Sequence, residues 1–362
     1  MKKIKKIVIA TGGTGGHVYP ALSLSDFLER RFQVEIFSDK RGLRYFKNDK
    51  NIRIVSSGTI FQKNIFKSGL SIIKIIFSII YSYFYLKKNK PSLVFGMGGY
   101  SSFPVCIASF LLKIPIIIYE NNLVLGKANR VLMPLAKKIL VSTDNIEGIK
   151  KKYKHKVLKS GYLLREEIFD LQKNQNFKKE NKEISILIFG GSQSAKIFGE
   201  VIPKIITECY RHNIRIKIYQ QCLENQTKKI EQIYQKNQIS FNLFSFSEKL
   251  TDYYKVCDLA ITRSGASSTA ELINLKIPFI AIPLPSSADN HQLKNAIYFE
   301  KKGYCLLLEE KFITSKLFEI LKDLNKNREK LLLLKHRMKN HSDVDSLKNV
   351  GNFIGKFLNE KN

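Results

Sequence analysis

Cysteine is scarce in this chain of 362 residues, and its five cysteines are scattered. They show no CxxC spacing and no Cys/His cluster, the patterns that are typical of zinc sites, redox motifs and disulfide frameworks. We therefore expect reduced thiols and a cytosolic protein. The early apolar run at 7–10 is too short for the core of a secretion signal, so we expect no such signal.

Acidic residues are also few: 31 Asp and Glu stand against 61 Lys and Arg, which leaves a net charge of +30. An excess of this kind indicates an anionic partner, such as a nucleic acid, an acidic membrane surface or a phosphorylated substrate. A general bias toward lysine explains the charge equally well. Because no RNA-binding aromatic motif accompanies the lysines, nucleic acid is the partner that the sequence favours least.

A long unbroken apolar run is missing as well. The stretch 69–86 comes closest to a membrane span, but Lys74 interrupts it. Ser71, Ser78 and Ser82 join Lys74 at three- and four-residue spacing, which predicts a narrow polar stripe along a helix. Two interpretations stay open: a helix packed on a sheet, or a helix with an apolar face toward a bilayer and flanking lysines on anionic headgroups.

Two series of short apolar runs, alternating with longer amphipathic stretches, make up most of the chain. The first series begins at 7–10 and ends at 139–141, and the second begins at 184–189 and ends at 305–308. This alternation is typical of parallel α/β units. For a chain of this length, two domains of middling size are the expected organisation.

Each series opens with an apolar run, a glycine turn and a helical pattern. The turn in the first series is 12–16, with His17 directly after it, and the turn in the second is 190–195. A further glycine turn, 96–100, follows another apolar run of the first series. Such turns expose backbone N–H groups at the positive end of a helix, which suits a phosphate.

The first glycine turn resembles a dinucleotide fingerprint only in part, because Val18 occupies the position of the third glycine. Asp39 ends the next predicted strand, at a distance along the chain that fits a ribose contact. His17 is the unusual residue, and it has two interpretations. It forms a hydrogen bond at the helix start, or it is a general base, since imidazole titrates near neutral pH.

Polar clusters follow other predicted strands. The cluster 120–122 suits recognition of sugar hydroxyls and, equally, a capping turn. The cluster 263–271 opens a helix with small and hydroxyl residues that suit a diphosphate, and Glu271 at its end suits ribose hydroxyls. Another helix opens at 289–292. We interpret the one DxD pair, at 343–345, as a helix cap and predict no metal requirement.

Together these motifs resemble the MurG-type UDP-N-acetylglucosamine transferases of bacterial peptidoglycan synthesis. The matching motifs follow the family's order: GGTGGH at 12–17, GMGGY at 96–100, ENN at 120–122, GGSQ at 190–193, RSGA…E at 263–271 and the helix start at 289–292. The resemblance implies an α/β fold of GT-B architecture, with two Rossmann-like parallel-sheet domains facing across a cleft. It assigns 1–162 plus 341–362 to an acceptor-lipid and membrane-facing domain, and 163–340 to a UDP-GlcNAc-binding domain.

The resemblance further implies an inverting transfer of GlcNAc from UDP-GlcNAc to the muramyl sugar of undecaprenyl-pyrophosphoryl-MurNAc-pentapeptide (lipid I to lipid II). His17 is the first choice for the base and Glu120 the second. Partners would be UDP-GlcNAc, the lipid-linked muramyl-pentapeptide acceptor and an anionic inner-leaflet surface, with no nucleic acid, cofactor or metal. The protein would be peripheral at the cytoplasmic face of the inner membrane.

Binding roles also come from the resemblance. The acceptor diphosphate is assigned to Gly13, Gly98, Gly99 and Tyr100. UDP-GlcNAc binding is assigned to residues of both halves: Thr14, Gly15, Gly16, Asn122, Arg165, Ser192, Ser247, Ala266, Ser267, Ser268, Thr269, Ala270, Glu271 and Gln292. Within this set Arg165 lies near the nucleotide, Asn122 near the sugar and Ser247 beside uracil. The chain departs from the family at 161–165, where GYLLR replaces a GNPVR-like run, and at Ser194, Ser267 and Ser268.

Three rival functions remain on the sequence alone. One is a nucleotide-sugar epimerase of similar two-domain shape, and another is an NAD-dependent oxidoreductase, which the missing third glycine disfavours. The third is a membrane-surface scaffold that binds a nucleotide sugar without turnover.

Overall fold

The computed structural model describes residues 4–46, 52–56, 65–173, 183–245 and 250–359, without the side chains of 65–70 and 192–195. The chain divides into two compact units. Unit 1 spans positions 1–165 and 343–362, and unit 2 spans 166–342.

The described strands of unit 1 form a seven-stranded parallel sheet in the order β3-β2-β1-β4-β5-β6-β7. Its strands are β1 (Lys6–Ala10), β2 (Gln33–Ser38), β3 (Ile52–Ile54), β4 (Leu93–Gly96), β5 (Ile116–Glu120), β6 (Lys138–Val141) and β7 (Val157–Lys159). Its helices, apart from a last one described below, are α1 (Gly15–Leu28), α2 (Ile65–Asn89), α3 (Ser102–Leu111) and α4 (Lys127–Leu132). Apolar residues on successive positions of β1 pack on opposite faces of the sheet, which is why buried parallel strands appear as continuous apolar runs.

Unit 2 repeats the plan with a six-stranded parallel sheet in the order β10-β9-β8-β11-β12-β13. Its strands are β8 (Ile184–Phe189), β9 (Ile216–Gln221), β10 (Phe241–Phe244), β11 (Leu259–Thr262), β12 (Phe279–Ala281) and β13 (Cys305–Leu307). Its helices are α5 (Glu166–Lys173), α6 (Ser192–Arg211), α7 (Glu224–Lys236), α8 (Leu250–Tyr254), α9 (Ala266–Asn274), α10 (His291–Lys301), α11 (Ile313–Lys326) and α12 (Glu329–Met338).

The last helix, α13 (Ser346–Asn359), belongs to unit 1 and packs against α1. Asp343 lies just before it, and one of its carboxylate oxygens accepts the backbone N–H of Tyr162 at 3.0 Å. Half of the DxD pair therefore joins the two stretches of unit 1, in agreement with a structural role for that motif.

In helix α2 the structure shows which way the serines of the predicted stripe face. Ser71, Ser78 and Ser82 are buried, and the Ser78 hydroxyl donates to the carbonyl of Ser56 at 2.8 Å. Helix α2 also packs against α3. The apolar side chains of α2 that are 45–67% exposed are Ile72, Ile73, Ile76, Phe77, Ile80, Tyr81 and Phe84. We call this set the apolar face of α2.

The apolar face of α2 does not make this helix a candidate membrane span. Within the described residues, no helix is both long and apolar enough to cross a bilayer. The five cysteines are free thiols, as expected, and burial raises the pKa of Cys106 to about 12. That thiol is therefore not a nucleophile near neutral pH.

Candidate active site

The glycine turns lie where the strand order of each sheet reverses. In unit 1 the neighbours β1 and β4 end side by side, with Ala10 paired to Gly96. In unit 2 the neighbours β8 and β11 do the same, with Phe189 paired to Thr262. Ligands of open α/β sheets bind outside the carboxyl ends of the strands at such switch points. Each unit therefore carries one candidate site made of two adjacent loops.

The first glycine loop of unit 1 requires its glycine for space as well as for conformation. Gly12 has φ +150°, and a Cβ there would stand 2.2 Å from the Ser101 hydroxyl oxygen. The loop ends at Thr14, which precedes α1. The assigned residues Thr14, Gly15 and Gly16 thus form the end of the loop and the first turn of α1.

The second glycine loop packs directly on the first. Gly98 has φ +83°, and a Cβ there would lie 3.1 Å from ring atoms of His17. A Cβ at Gly99 would lie 3.1 Å from the carbonyl oxygen of Gly12. The structure therefore brings Gly98 and Gly99, two of the residues assigned to the acceptor diphosphate, against His17, with half-buried Tyr100 at the loop's end.

His17 is half-buried, and its Nδ1 lies 3.0 Å from the carbonyl oxygen of Met97. A carbonyl only accepts, so Nδ1 carries the proton and Nε2 carries the lone pair of the neutral ring. The Thr11 hydroxyl donates to the His17 carbonyl at 2.9 Å, which fixes the backbone here. This is a ring with a set tautomer, as a general base requires.

Glu120 is buried, with 2% exposure, and its carboxylate accepts four N–H hydrogen bonds. Oε1 accepts the backbone and side-chain N–H groups of Asn122 at 3.1 and 3.0 Å. Oε2 accepts the backbone N–H of Gly126 at 2.8 Å and the side-chain amide of Asn129 at 3.0 Å. These bonds hold the turn after β5, which favours a positioning role for Glu120 over a catalytic one.

The same turn reaches the first glycine loop. The side-chain amide of Asn121 donates to the carbonyl oxygen of Gly16 at 2.6 Å. Asn122 directs its amide toward Glu120 and Asn121. Both interpretations of the 120–122 cluster thus keep support: it is a turn network, and it lies beside the candidate site.

Arg165 and Tyr19 extend the site of unit 1. The Arg165 guanidinium carbon lies 5.1 Å from the centre of the Tyr19 ring, which is close enough for a cation–π contact. Tyr19 meets Tyr45 edge to face, with ring centres 5.5 Å apart. Arg165 is therefore held beside the start of α1.

In unit 2 the helices α6 and α9 begin at glycines that the protein's own packing does not require. Gly191 and Gly265 have ordinary φ values of −66° and −69°. No described heavy atom lies within 4 Å of a Cβ built at either position. The open space lies at two helix N-termini, where the backbone N–H groups and the helix dipole suit an anion.

The turn into α9 is buried, and its polar groups are partly tied. Glu271 is 6% exposed and accepts the Tyr254 hydroxyl at 2.9 Å. The Thr269 hydroxyl donates back to the carbonyl of Gly265 at 2.9 Å. Ser264 is fully buried, and its hydroxyl has no partner among the described residues. The remaining assigned residues here are Ala266, Ser267 and Ala270, which are buried, and half-buried Ser268.

Gln292 and Arg263 are two further polar residues of the motifs in unit 2. The Gln292 side-chain oxygen accepts the backbone N–H of Leu284 at 3.0 Å, which ties the start of α10 to the preceding loop. Arg263 opens the 263–271 cluster. Its guanidinium donates to the carbonyl of Pro283 at 3.2 Å and pairs with Glu310, which gives it a structural role.

The side chains of two assigned residues are not described by the structure. Ser192 begins α6, but its side chain is not among those described, and Ser247 lies outside the described residues. Among the described residues, no group of three or more His, Cys, Asp and Glu side chains is placed to hold a metal ion.

Sequence reasoning missed Asn129 and Tyr254, which position the two acidic residues. Asn129 is fully buried in α4 and donates to Glu120. Tyr254 is buried at the end of α8 and donates to Glu271. No local motif marks either residue, because each partner lies at least nine positions away along the chain.

Comparison with known proteins gives a consistent result. Residues 7–141 match the glycosyltransferase family 28 N-terminal domain, and residues 185–350 match the glycosyltransferase family 28 C-terminal domain. The chain is similar to the UDP-N-acetylglucosamine–N-acetylmuramyl-(pentapeptide) pyrophosphoryl-undecaprenol N-acetylglucosamine transferase of Pelagibacter ubique, at 36% identity over 98% of this chain and 99% of that protein. The protein of the same name from Rickettsia canadensis is 36% identical over 95% of this chain and 99% of its own length.

Among solved structures, the chain resembles Acinetobacter baumannii MurG with a TM-score of 0.77. The match covers 97% of this chain and 99% of that one, at 24% identity, and it supports the fold. The expected GT-B architecture, with two Rossmann-like parallel-sheet domains, is thereby confirmed.

Proposed function

The chain belongs to glycosyltransferase family 28, among the UDP-N-acetylglucosamine–N-acetylmuramyl-(pentapeptide) pyrophosphoryl-undecaprenol N-acetylglucosamine transferases, and from this premise we infer its reaction. It transfers GlcNAc from UDP-GlcNAc to the muramyl sugar of undecaprenyl-pyrophosphoryl-MurNAc-pentapeptide in peptidoglycan synthesis. The observation that supports this most is the pair of glycine loops packed around His17, each loop suited to a phosphate.

The reaction is a single displacement that inverts the configuration at the anomeric carbon of GlcNAc. The acceptor hydroxyl oxygen forms a bond to the anomeric carbon of GlcNAc, while the bond from that carbon to the UDP oxygen breaks. The hydroxyl proton passes to Nε2 of His17, whose lone pair is set by the Nδ1 contact with Met97. UDP leaves with the bonding electron pair.

Negative charge grows on the diphosphate as UDP departs, and this charge has to be stabilised. The N-termini of α6 and α9 supply backbone N–H groups and the positive ends of two helix dipoles. Arg165 adds a cation near the nucleotide, and Glu271 holds the ribose hydroxyls. No metal enters this mechanism, because fixed dipoles and an arginine supply the stabilisation.

Glu120 is the second candidate for the base. Its four N–H hydrogen bonds favour a different role, in which it fixes the turn that carries Asn121 and Asn122 beside the first loop. Loss of Glu120 would then disturb the fold of unit 1 before it affects proton transfer.

Because the acceptor is linked to a lipid, the protein has to reach it at a membrane surface. The apolar face of α2 lies outward, with Lys87 and Lys88 exposed at the end of the helix. Apolar side chains inserted at the headgroup boundary and lysines on anionic lipids together give peripheral binding. The protein then works at the cytoplasmic face of the inner membrane, where UDP-GlcNAc is present, and it needs no nucleic acid.

The test is UDP release from UDP-GlcNAc by the purified protein, with and without the lipid-linked acceptor. A transferase releases UDP in proportion to acceptor consumed. A UDP-GlcNAc epimerase would change the sugar without any acceptor, and a scaffold protein would release no UDP in either case.

A further inference from the structure

The segment that follows β2 lies against the first glycine loop and fixes it through one buried carboxylate. The Asp39 side chain is 5% exposed. Its Oδ1 accepts the backbone N–H groups of Gly13 at 2.8 Å and Gly42 at 3.0 Å. In this structure the carboxylate that the dinucleotide pattern assigned to a ribose contact binds the loop backbone instead.

The other carboxylate oxygen of Asp39 forms an ion pair with the guanidinium of Arg41. Oδ2 accepts the N–H groups of Arg41 Nε at 2.9 Å and Nη2 at 2.7 Å, so both donors of this ion pair meet one carboxylate oxygen. The Arg41 side chain is 56% exposed. Its Nη2 lies 3.7 Å from the point where a Cβ of Gly13 would stand. A guanidinium is thus oriented at the edge of the glycine loop.

This arrangement changes how the loop meets an anion. The N–H of Gly13 already donates to Asp39, so it adds little to a bound phosphate. A guanidinium presents its N–H groups in a fixed fork that matches phosphate oxygens. Charge-assisted bonds of this type are about twice as strong as neutral ones.

We propose that Arg41, oriented by Asp39, binds the diphosphate of the lipid-linked acceptor at the first glycine loop. Arg41 is the binding residue, and Asp39 is a positioning residue that shapes the loop and aims the guanidinium. That this diphosphate belongs to the lipid-linked acceptor rests on the proposed function. Gly13 has φ +84°, so the backbone itself requires glycine there, and the absent Cβ also leaves space beside Arg41.

The test measures steady-state kinetics with a short-chain, water-soluble diphosphate-linked acceptor and no vesicles. Arg41→Gln should raise the acceptor KM about 10- to 100-fold, the effect of a lost hydrogen bond to a charged group. The KM for UDP-GlcNAc should stay the same. Arg41→Lys should recover part of the acceptor affinity, and Asp39→Asn should raise the acceptor KM with Arg41 still present.

Arg31→Gln is the matched control. It removes the same charge from an exposed arginine of unit 1, just before β2 and so at the opposite end of that strand. An acceptor KM for Arg41→Gln within twofold of the Arg31→Gln value would overturn the proposal. So would an effect of Arg41→Gln confined to acceptor in anionic vesicles, since that would make Arg41 a contact for lipid headgroups.

Binding of inorganic pyrophosphate, measured by calorimetry, separates this inference from the proposed function. The wild-type and Arg31→Gln proteins should bind pyrophosphate alike, and Arg41→Gln should bind it at least tenfold more weakly. That result would support the site even if no sugar transfer were found. Equal binding by all three proteins would overturn it even if transfer were found.

Discussion

Replacing Glu120 with glutamine distinguishes a structural carboxylate from a catalytic base. The substitution keeps the shape of the side chain and one of its two acceptor oxygens. The amide nitrogen that takes the place of the other oxygen is a donor. It would face two further N–H groups, those of Gly126 and Asn129 or, if the amide flips, the pair from Asn122.

The magnitude follows from those contacts. Two hydrogen bonds to a charged acceptor are lost, each contributing about 1.5–3 kcal/mol, so the free energy of unfolding should fall by about 3–6 kcal/mol. Because Glu120 is 2% exposed, solvent does little to replace them. For a unit of this size, about 2–4 °C per kcal/mol predicts a melting temperature lower by roughly 6–24 °C.

The assay is thermal unfolding followed by circular dichroism, together with kcat measured well below the transition. Glu147→Gln is the control, because Glu147 is an exposed glutamate of the same unit. If Glu120 were the base, Glu120→Gln would lower kcat by about two to four orders of magnitude at an unchanged melting temperature. That combination would refute the structural interpretation.

Three further predictions concern the base, the metal and the membrane. His17→Ala should lower kcat by about two to four orders of magnitude while UDP-GlcNAc binding, measured by calorimetry, stays close to wild type; near-normal kcat would remove His17 as the base. Activity should survive chelation by EDTA, and a loss that Mg²⁺ restores would contradict the metal-free mechanism. Phe77→Ser with Phe84→Ser should weaken co-sedimentation with anionic vesicles and leave turnover of a water-soluble acceptor intact, whereas unchanged sedimentation would exclude the apolar face of α2 as the contact.

The sheets could be predicted because their central strands are buried on both faces. Apart from Ser185, a strand such as β8 then appears as an apolar run, which can be recognised without knowledge of its neighbours. Strand β7 was missed because it is three residues long, is at most half-buried and directly follows a lysine-rich stretch. Its pairing with β6 places it at the edge of the sheet, where the sequence signal is weakest.

Periodicity gave the polar stripe of α2 but not its direction. Ser71, Ser78 and Ser82 face the protein, while most of the apolar side chains of the same helix lie outward. Only the tertiary structure shows which face is covered. The apolar face of α2 lies outward, which favours the interpretation that this helix contacts a bilayer.

The loops of the site were predicted from their glycines, and the partners of its charged residues were not. Gly98 is recognisable because a tight turn needs positive φ. The bonds from Asn129 to Glu120 and from Arg263 to Glu310 join residues that are far apart in the chain. Such pairs depend on the fold, so a local motif cannot separate a structural arginine from a phosphate-binding one.

The most direct test of the central claim is transfer of labelled sugar by the purified protein. With UDP-GlcNAc labelled in the sugar and the lipid-linked muramyl-pentapeptide as acceptor, label should enter the lipid fraction with one UDP released per sugar. The new linkage should have the β configuration, since a single displacement inverts the α-linked donor. Label that stays in the water-soluble fraction, or an α-linked product, would contradict the account.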